Sequence, residues 1–346
     1  MSPLDSATDA ALARGVAWLA AARDPEGLWR DYSRPDGSFA SNVWAAGFVA
    51  AHVGRIPAAR PLAAAVVERL VAGRRKSGGW GYDETLLEDC DSTAWVLLAA
   101  EAAAVRLPRE VVISSLRFVL RHQGDAGGFV TYGPSGLSLF GDIAERAGWF
   151  TPQPCVTAAA IAALAAYAPP TLPELGRAAE WLERAAEPVL WPAYWWYGPT
   201  YATYLAVRAL RRSGRLSPAQ ARSIAAALLR ERNADGGWSG KEAMRSLPFT
   251  TALALLALLE LGHRGPELQA AADFLLASQT PSGSFGASAE LLVPGGVSAD
   301  TMTLLDQGCF TTACALHALH DHRAVIVRRP AASSEESPCR PQPPCP

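Results

Sequence analysis

Lysine is nearly missing from this chain. Lys76 and Lys241 are two of its 31 basic residues, and all the others are arginine. Beside the abundance of Ala, Gly and Pro, this reads as coding bias. A charge of one sign is lacking too. The 31 basic and 33 acidic side chains leave a net charge of −2, so there is no electrostatic footprint for a nucleic acid. Charged residues are 18% of the chain while apolar residues are 50%, which excludes a disordered polymer. Cysteine is sparse: six residues with no metal-like pairing, too thinly spread for a disulfide scaffold in a chain of this size. Long hydrophobic runs are absent as well. Stretches such as 156–168 are Ala-rich and too short to span a bilayer. The opening MSPLDSATDA has neither the basic nor the apolar region of a signal peptide. A cytoplasmic, apolar-cored protein is expected, and peripheral membrane contact stays compatible with it.

What is present is repetition. A turn followed by an aromatic recurs as Gly27-Leu28-Trp29, Gly78-Gly79-Trp80, Gly127-Gly128-Phe129, Gly236-Gly237-Trp238 and Gly283-Ser284-Phe285, with a degenerate copy at Leu190-Trp191-Pro192. The aromatics are spaced by 51, 49, 62, 47 and 47 residues. The long third unit carries an insertion around 133–150. After each turn comes an Ala/Leu-rich segment, at about 41–54, 89–104, 154–168, 198–212, 248–262 and 308–320. A more amphipathic partner lies at about 6–22, 58–73, 109–122, 172–187, 216–232 and 266–278. In the second of these, Leu62, Val66, Val67, Leu70 and Val71 form an apolar stripe at helical spacing.

Helices that are apolar all round belong inside, and amphipathic ones belong outside with one wet face. Six of each predict an all-α fold, an α6/α6 double-ring barrel over residues 1–325. The Pro/Ser-rich remainder, 326–346, is expected to be a disordered tail.

The apolar helices superpose on Thr93-Ala94, Thr157-Ala158, Thr251-Ala252 and Thr312-Ala313, with Trp44-Ala45 and Thr203-Tyr204 completing the set. Two residues earlier lie Asn42, Asp91, Cys155, Tyr201, Phe249 and Phe310. In a closed barrel these six ring one mouth of the central cavity. One carboxylate then faces a ring of mostly aromatic or apolar groups.

Its local sequence is Glu88-Asp89-Cys90-Asp91-Ser92-Thr93. One reading is helix capping, since Asp and Ser are common N-caps and acidic residues suit a helix N-terminus. The other is chemical. Aromatic walls and a neighbouring carboxylate raise a carboxyl pKa, and a neutral Asp in an apolar cavity can protonate a weak base, even an alkene. The aromatics support this second reading. Trp149-Phe150 and Tyr194-Trp195-Trp196-Tyr197 lie in loops entering the third and fourth inner helices. Trp44, Trp95, Tyr201, Tyr204, Phe249 and Phe310 lie near inner-helix starts. Aromatic faces stabilise cations, although they also serve as ordinary core.

At these residues the chain resembles the squalene-cyclase and prenyltransferase superfamily. The segment Asp89-Cys90-Asp91-Ser92-Thr93-Ala94 is similar to the Asp-x-Asp-Asp-Thr-Ala motif of class II terpene cyclases, with Ser92 in place of the third Asp. The resemblance covers about residues 10–322. It implies a protonation-initiated cyclase of a linear isoprenoid, most simply a prenyl diphosphate, with Asp91 as the acid and Asp89 as its partner. Substrate contacts are then expected from Asn42, Trp44, Trp95, Trp149, Phe150, Trp195, Trp196, Tyr197, Tyr201, Phe249 and Phe310. Lys76, Lys241 and Arg245, with Arg74, Arg75 and Arg146, stand near turns or loops where a diphosphate would be met. Protonation requires no cofactor and no metal ligand set is assigned, while Mg²⁺ is compatible with a diphosphate substrate.

Most class II cyclases pair two barrels, and this chain holds one. Its oligomeric state is left open. Two other readings remain. One is a non-catalytic toroid that binds a lipid or a protein. The other is a prenyltransferase-like subunit needing a partner chain, with Asp306, Cys309 and His317 as the nearest zinc candidates.

Overall fold

Five of the six repeats begin on a turn whose backbone demands glycine. Gly78 has φ +98°, and a Cβ there would stand 2.6 Å from the carbonyl oxygen of Ser114. An L side chain is excluded both by conformation and by space. The same positive φ recurs at Gly27, Gly127, Gly236 and Gly283. The turn delivers its aromatic into the wedge between an outer and an inner helix. There the indole N–H meets a carbonyl in the last turn of the outer helix: Trp29 donates to Leu19 (2.8 Å), Trp80 to Leu70 (2.7 Å), Trp191 to Leu182 (2.6 Å) and Trp238 to Leu228 (2.8 Å). The last carbonyls of a helix have no partner within it, so one side chain both fills the core and caps the helix.

A second bond fixes the inner helix. The backbone N–H of the aromatic donates to a threonine hydroxyl in that helix, pairing Trp80 with Thr93, Phe129 with Thr157, Trp191 with Thr203, Trp238 with Thr251 and Phe285 with Thr312. The repeat signature and the Thr-Ala signature are thus two halves of one joint.

The structure, a computed structural model, describes residues 3–33, 40–134, 136–137, 144–240, 245–294 and 302–327. Among these are twelve α-helices of ten residues or more. The outer set is α1 Pro3–Ala21, α3 Arg60–Ala72, α5 Arg109–Leu120, α7 Pro173–Arg184, α9 Pro218–Arg230 and α11 Glu267–Ser278. The inner set is α2 Trp44–Val53, α4 Cys90–Ala102, α6 Pro154–Tyr167, α8 Thr200–Arg212, α10 Pro248–Glu260 and α12 Cys309–Val327. Every residue of α2 is buried, whereas α7 buries only Leu175, Ala178, Ala179 and Leu182. Each inner helix packs on the next, and α12 returns to α2. The outer ring also closes, because Gln279 donates to the Ala11 carbonyl of α1 (2.9 Å). The molecule is the all-α double ring that the repeat pattern predicts.

Two features depart from the sequence reading. Helix α12 runs through Val327, two residues into the segment assigned to the tail, because Val325 still packs against the core. The rest of that segment lies outside the described residues. There are also two short antiparallel pairs. Strands β1 (Trp80–Gly81) and β2 (Glu88–Asp89) lead into α4, and β3 (Glu290–Val293) pairs with β4 (Met302–Leu305). The second hairpin covers the end of the barrel where the inner helices begin.

Candidate active site

The β1–β2 pair sets Asp89 opposite Trp80 and so fixes where α4 starts. Asp89 is the N-cap, in extended conformation. One carboxyl oxygen accepts from the Ser92 N–H at 2.7 Å, the other from the Ser92 hydroxyl at 2.6 Å. Capping is therefore the geometry of Asp89. Asp91, in the first turn, faces the cavity instead. Its Oδ2 accepts from the Trp44 indole N–H at 2.8 Å.

Both carboxyls are shifted upward, mainly by burial. Asp89 is pushed up to about 8, and the bonds from Ser92 only partly offset this. Asp91 is raised to about 7, with the indoles of Trp44 and Trp95 acting in the opposite sense. The Trp95 N–H itself lacks hydrogen-bond geometry to any partner, so its effect is one of dipole and proximity. Asp91 carries its proton for an appreciable fraction of the time at neutral pH.

The cavity above Asp91 measures about 230 Å³. Asp91, Cys155 and Tyr201 line it, as the repeat alignment predicts, together with Trp44, Trp149, Trp195 and Trp196. The other predicted contacts lie elsewhere. Phe310 is fully buried and stacks on Phe48 at 3.6 Å between ring centroids, forming a floor. Phe249 packs behind Trp196 (5.2 Å) and Trp95 behind Phe48 (4.6 Å). None of these three lines the cavity, although Phe249 and Phe310 occupy the same first-turn position as Asp91. Asn42 is buried beside the cavity with its Oδ1 unpartnered. Phe150 packs on Tyr132, and the Tyr197 hydroxyl pairs with Thr303 (3.0 Å). Lys76 and Arg245 are exposed and line no part of the cavity. Lys241 lies outside the described residues.

Several lining residues escape a repeat-based reading. Tyr82, Leu86, Thr131 and Tyr132 come from connecting segments, and Leu291, Val293, Met302 and Leu304 come from β3 and β4. The four hairpin residues share one face because side chains alternate along a strand, while Leu305 on the other face is 50% exposed. The hairpin is tied down by the Leu292 N–H bond to the Trp195 carbonyl (2.9 Å) and the Trp149 indole bond to the Pro294 carbonyl (3.0 Å). The alternation in Met302-Thr303-Leu304 was the available signal. Arg146, in the 3-10 turn Ala144–Trp149, reaches the cavity with its guanidinium 5.4 Å from the Trp149 ring centroid.

Asp306, Cys309 and His317 do not gather into a zinc site. Asp306 accepts backbone N–H bonds from Ser288, Ala289 and Thr311, while His317 pairs with His52 and Asp321. Among the described residues, no group of three or more His, Cys, Asp or Glu is placed to hold a metal ion.

No protein-family profile matches the chain. The drimenyl diphosphate synthase of Streptomyces showdoensis is 29% identical over 262 residues, covering 72% of this chain and 46% of that protein. The chain spans about half the length of the curated relatives it matches. A solved protein from Actinoplanes is 29% identical, with a TM-score of 0.80 over 91% of this chain and 99% of its own. A variant of the type II terpene cyclase MstE from Scytonema, solved with geranylgeranyl dihydroxybenzoate, superposes with a TM-score of 0.81 at 24% identity, over 94% of this chain and 99% of that one. In sequence the chain is similar to drimenyl diphosphate synthases, and in fold it is similar to type II terpene cyclases.

Proposed function

We propose that the chain is a protonation-initiated cyclase of a linear isoprenoid, with Asp91 as the general acid. The observation that carries this is a carboxyl held near neutrality, facing an aromatic cavity and fixed through one oxygen by Trp44. Because Oδ2 accepts from Trp44, the transferable proton sits on Oδ1. A terminal alkene takes that proton at one carbon, and its π electrons form the new C–H bond. The other carbon becomes a cation, which the next alkene attacks to close a ring. Loss of a proton to a base or water ends the sequence.

A raised pKa keeps the acid loaded but also makes it weaker. The balance comes from the product side. The aspartate left behind retains the Trp44 N–H, and the cation lies against the faces of Trp44, Trp196 and Tyr201, whose attraction strengthens where water is excluded. Prefolding the chain in a fixed cavity supplies the orientational part of the rate.

The substrate is a linear isoprenoid with a polar head. A prenyl diphosphate is favoured by the likeness to drimenyl diphosphate synthase. Arg146 at the cavity supplies a cation for such a head. A prenylated aromatic acid is the second reading, favoured by the substrate held in the MstE complex. Either places Asp91 at the far, hydrocarbon end.

The test is incubation of wild type and Asp91→Asn with farnesyl diphosphate, geranylgeranyl diphosphate, squalene and a geranylgeranylated dihydroxybenzoate, with and without Mg²⁺, read by mass spectrometry. A cyclic isomer made by wild type and reduced at least ~10³-fold in the variant is expected, toward the upper range for loss of a general acid. Undiminished product from the variant would remove Asp91 as the acid.

A further inference from the structure

The inner helices carry a second polar centre, toward their C-terminal ends and away from Asp91. Arg55 follows α2, and Arg208 lies on the buried side of α8. Arg208 is 4% exposed, and its Nη2 has no hydrogen-bond partner. Neither do Nε and Nη2 of Arg55. Guanidinium groups stay charged in proteins. A buried one without an acceptor is costly.

The neighbouring carboxylates are already committed. Glu101 is hydrogen-bonded by Arg212 and stands 3.6 Å from Arg55 Nη2, beyond hydrogen-bond reach. Asp321 is paired with His317 (3.2 Å). Arg211 takes Glu260 through its carbonyl and carboxylate, and Arg212 also takes the Ala162 carbonyl (3.3 Å). Arg211 thus uses the carbonyl at a helix end, as basic residues there commonly do, Arg212 takes a carbonyl within the neighbouring helix, and the Nη2 of Arg208 makes no such bond. Four guanidiniums, of Arg55, Arg208, Arg211 and Arg212, meet three carboxylates, of Glu101, Asp321 and Glu260. The charge of Arg208 is the chief influence holding the Arg55 pKa down to about 10, which still leaves Arg55 cationic at neutral pH.

The adjacent histidine pair does not supply the missing acceptor charge. His317 Nε2 donates to Asp321, which makes its Nδ1 the acceptor for His52 Nδ1–H at 3.0 Å. The unpartnered His52 Nε2 is then a neutral lone pair, which calls for a donor and not for an anion.

We propose that Arg55 and Arg208 hold one small monovalent anion, of chloride or acetate size, at the base of the barrel. One negative charge balances the local excess, and its lone pairs meet the three unpartnered N–H groups. The Arg55 side chain as a whole is 29% exposed, while its Nε and Nη2 are buried. The proposal is independent of the cyclase reading.

The test is thermal unfolding of the full chain as sodium chloride or sodium acetate replaces sodium gluconate at constant ionic strength. Wild type should show a saturating rise of about 3 °C between 1 and 100 mM chloride, because a ligand of the native state alone raises its stability with concentration. Arg208→Met should melt at one temperature in all three salts. A response to acetate as well as chloride identifies a site that takes carboxylates, and a response to chloride alone identifies an inorganic site. Equal melting of wild type in all three salts would mean that water satisfies the donors, and would overturn the proposal. A rise that Arg208→Met retains would be a general salt effect and would also overturn it. If that variant does not fold, ³⁵Cl NMR of wild type decides. Saturable excess line width that acetate removes is expected, and its absence sinks the idea.

Discussion

Two carboxyl groups stand two residues apart and meet different surroundings. Both oxygens of Asp89 accept hydrogen bonds from Ser92, although the residue borders the cavity. Asp91 has one oxygen occupied by Trp44 and the other available to the cavity. In the proposed mechanism Trp44 therefore acts on the acid as well as on the cation. Its N–H stabilises the carboxylate more than the neutral acid, so removing it raises the pKa of Asp91 further. Trp44→Phe keeps a ring and deletes the donor. A general acid works while protonated, so its activity falls as pH rises through its pKa. The alkaline limb of the kcat–pH profile should thus move to higher pH in Trp44→Phe, with kcat lowered about 10-fold, a loss of roughly 1.4 kcal/mol of transition-state stabilisation. An unshifted limb would mean that the bond to Oδ2 has no influence on the acid. The motif around Asp91 was legible in the sequence because it falls at a repeat-defined position. The partner on Oδ2 was not, since it comes from another helix 47 residues away and no local pattern records that distance.

At the scale of the element, the joint between turn and helix is the repeating unit of construction. A buried backbone N–H needs an acceptor, and removing that acceptor costs about 1–3 kcal/mol. Thr251 accepts from the Trp238 N–H at 2.9 Å and does not line the cavity. Thr251→Val keeps the shape and deletes the acceptor. It should lower the unfolding free energy by about 2 kcal/mol, measured by denaturant titration, while product formed per folded molecule stays within about 2-fold of wild type. Helices and their pairing were readable because the period of the glycine-aromatic signal and the Thr-Ala signal agree. The β3–β4 hairpin was harder to read. Its strands are four residues each, and its apolar face has meaning only against the barrel end that it covers. A polar residue on that face tests its part in the cavity. Leu304 is buried there and lines the cavity. Leu304→Gln should cut cyclisation at least ~10-fold by bringing a dipole and water beside a developing cation, with more alcohol relative to alkene among the products. An unchanged ratio of alcohol to alkene would remove the hairpin from control of water.

The whole molecule closes through buried acids. Asp31, in the first repeat, accepts N–H bonds from Tyr32, Gln307 and Phe310, the last at the start of α12. Asp306 braces the same region through Ser288, Ala289 and Thr311. Burial, with the charge of Asp306, raises Asp31 to about 7, and burial raises Asp306 as well. With Asp89 and Asp91, four carboxyls bind protons more tightly in the folded chain than in the unfolded one. The consequence for stability has a definite sign. Above the ordinary carboxylate range the unfolded chain has already lost these protons, while in the folded chain Asp31, Asp91 and Asp89 lose theirs between about pH 6 and 9, and Asp306 is shifted in the same direction. The folded state holds more protons over that window, so stability falls as pH rises through it. The buried histidines act on the other side. Their folded pKa values are lowered, as at His52 and His317, so the stability they subtract at low pH is largely restored once pH has risen through about 6.5 to 7.5. The buried thiols of Cys90 and Cys155, raised by burial, add to the carboxyl effect at the upper end. Between pH 6.5 and 8.5 Asp31 and Asp91 should each remove about 1 kcal/mol and Asp89 about 2 kcal/mol. The unfolding midpoint in denaturant should therefore drop steadily from pH 6.5 to 8.5, and Asp91→Asn should lessen the drop while being more stable than wild type at pH 8.5. A wild-type midpoint that rises with pH would mean that these carboxyls are ionised throughout, and an acid ionised at neutral pH has no proton to give an alkene.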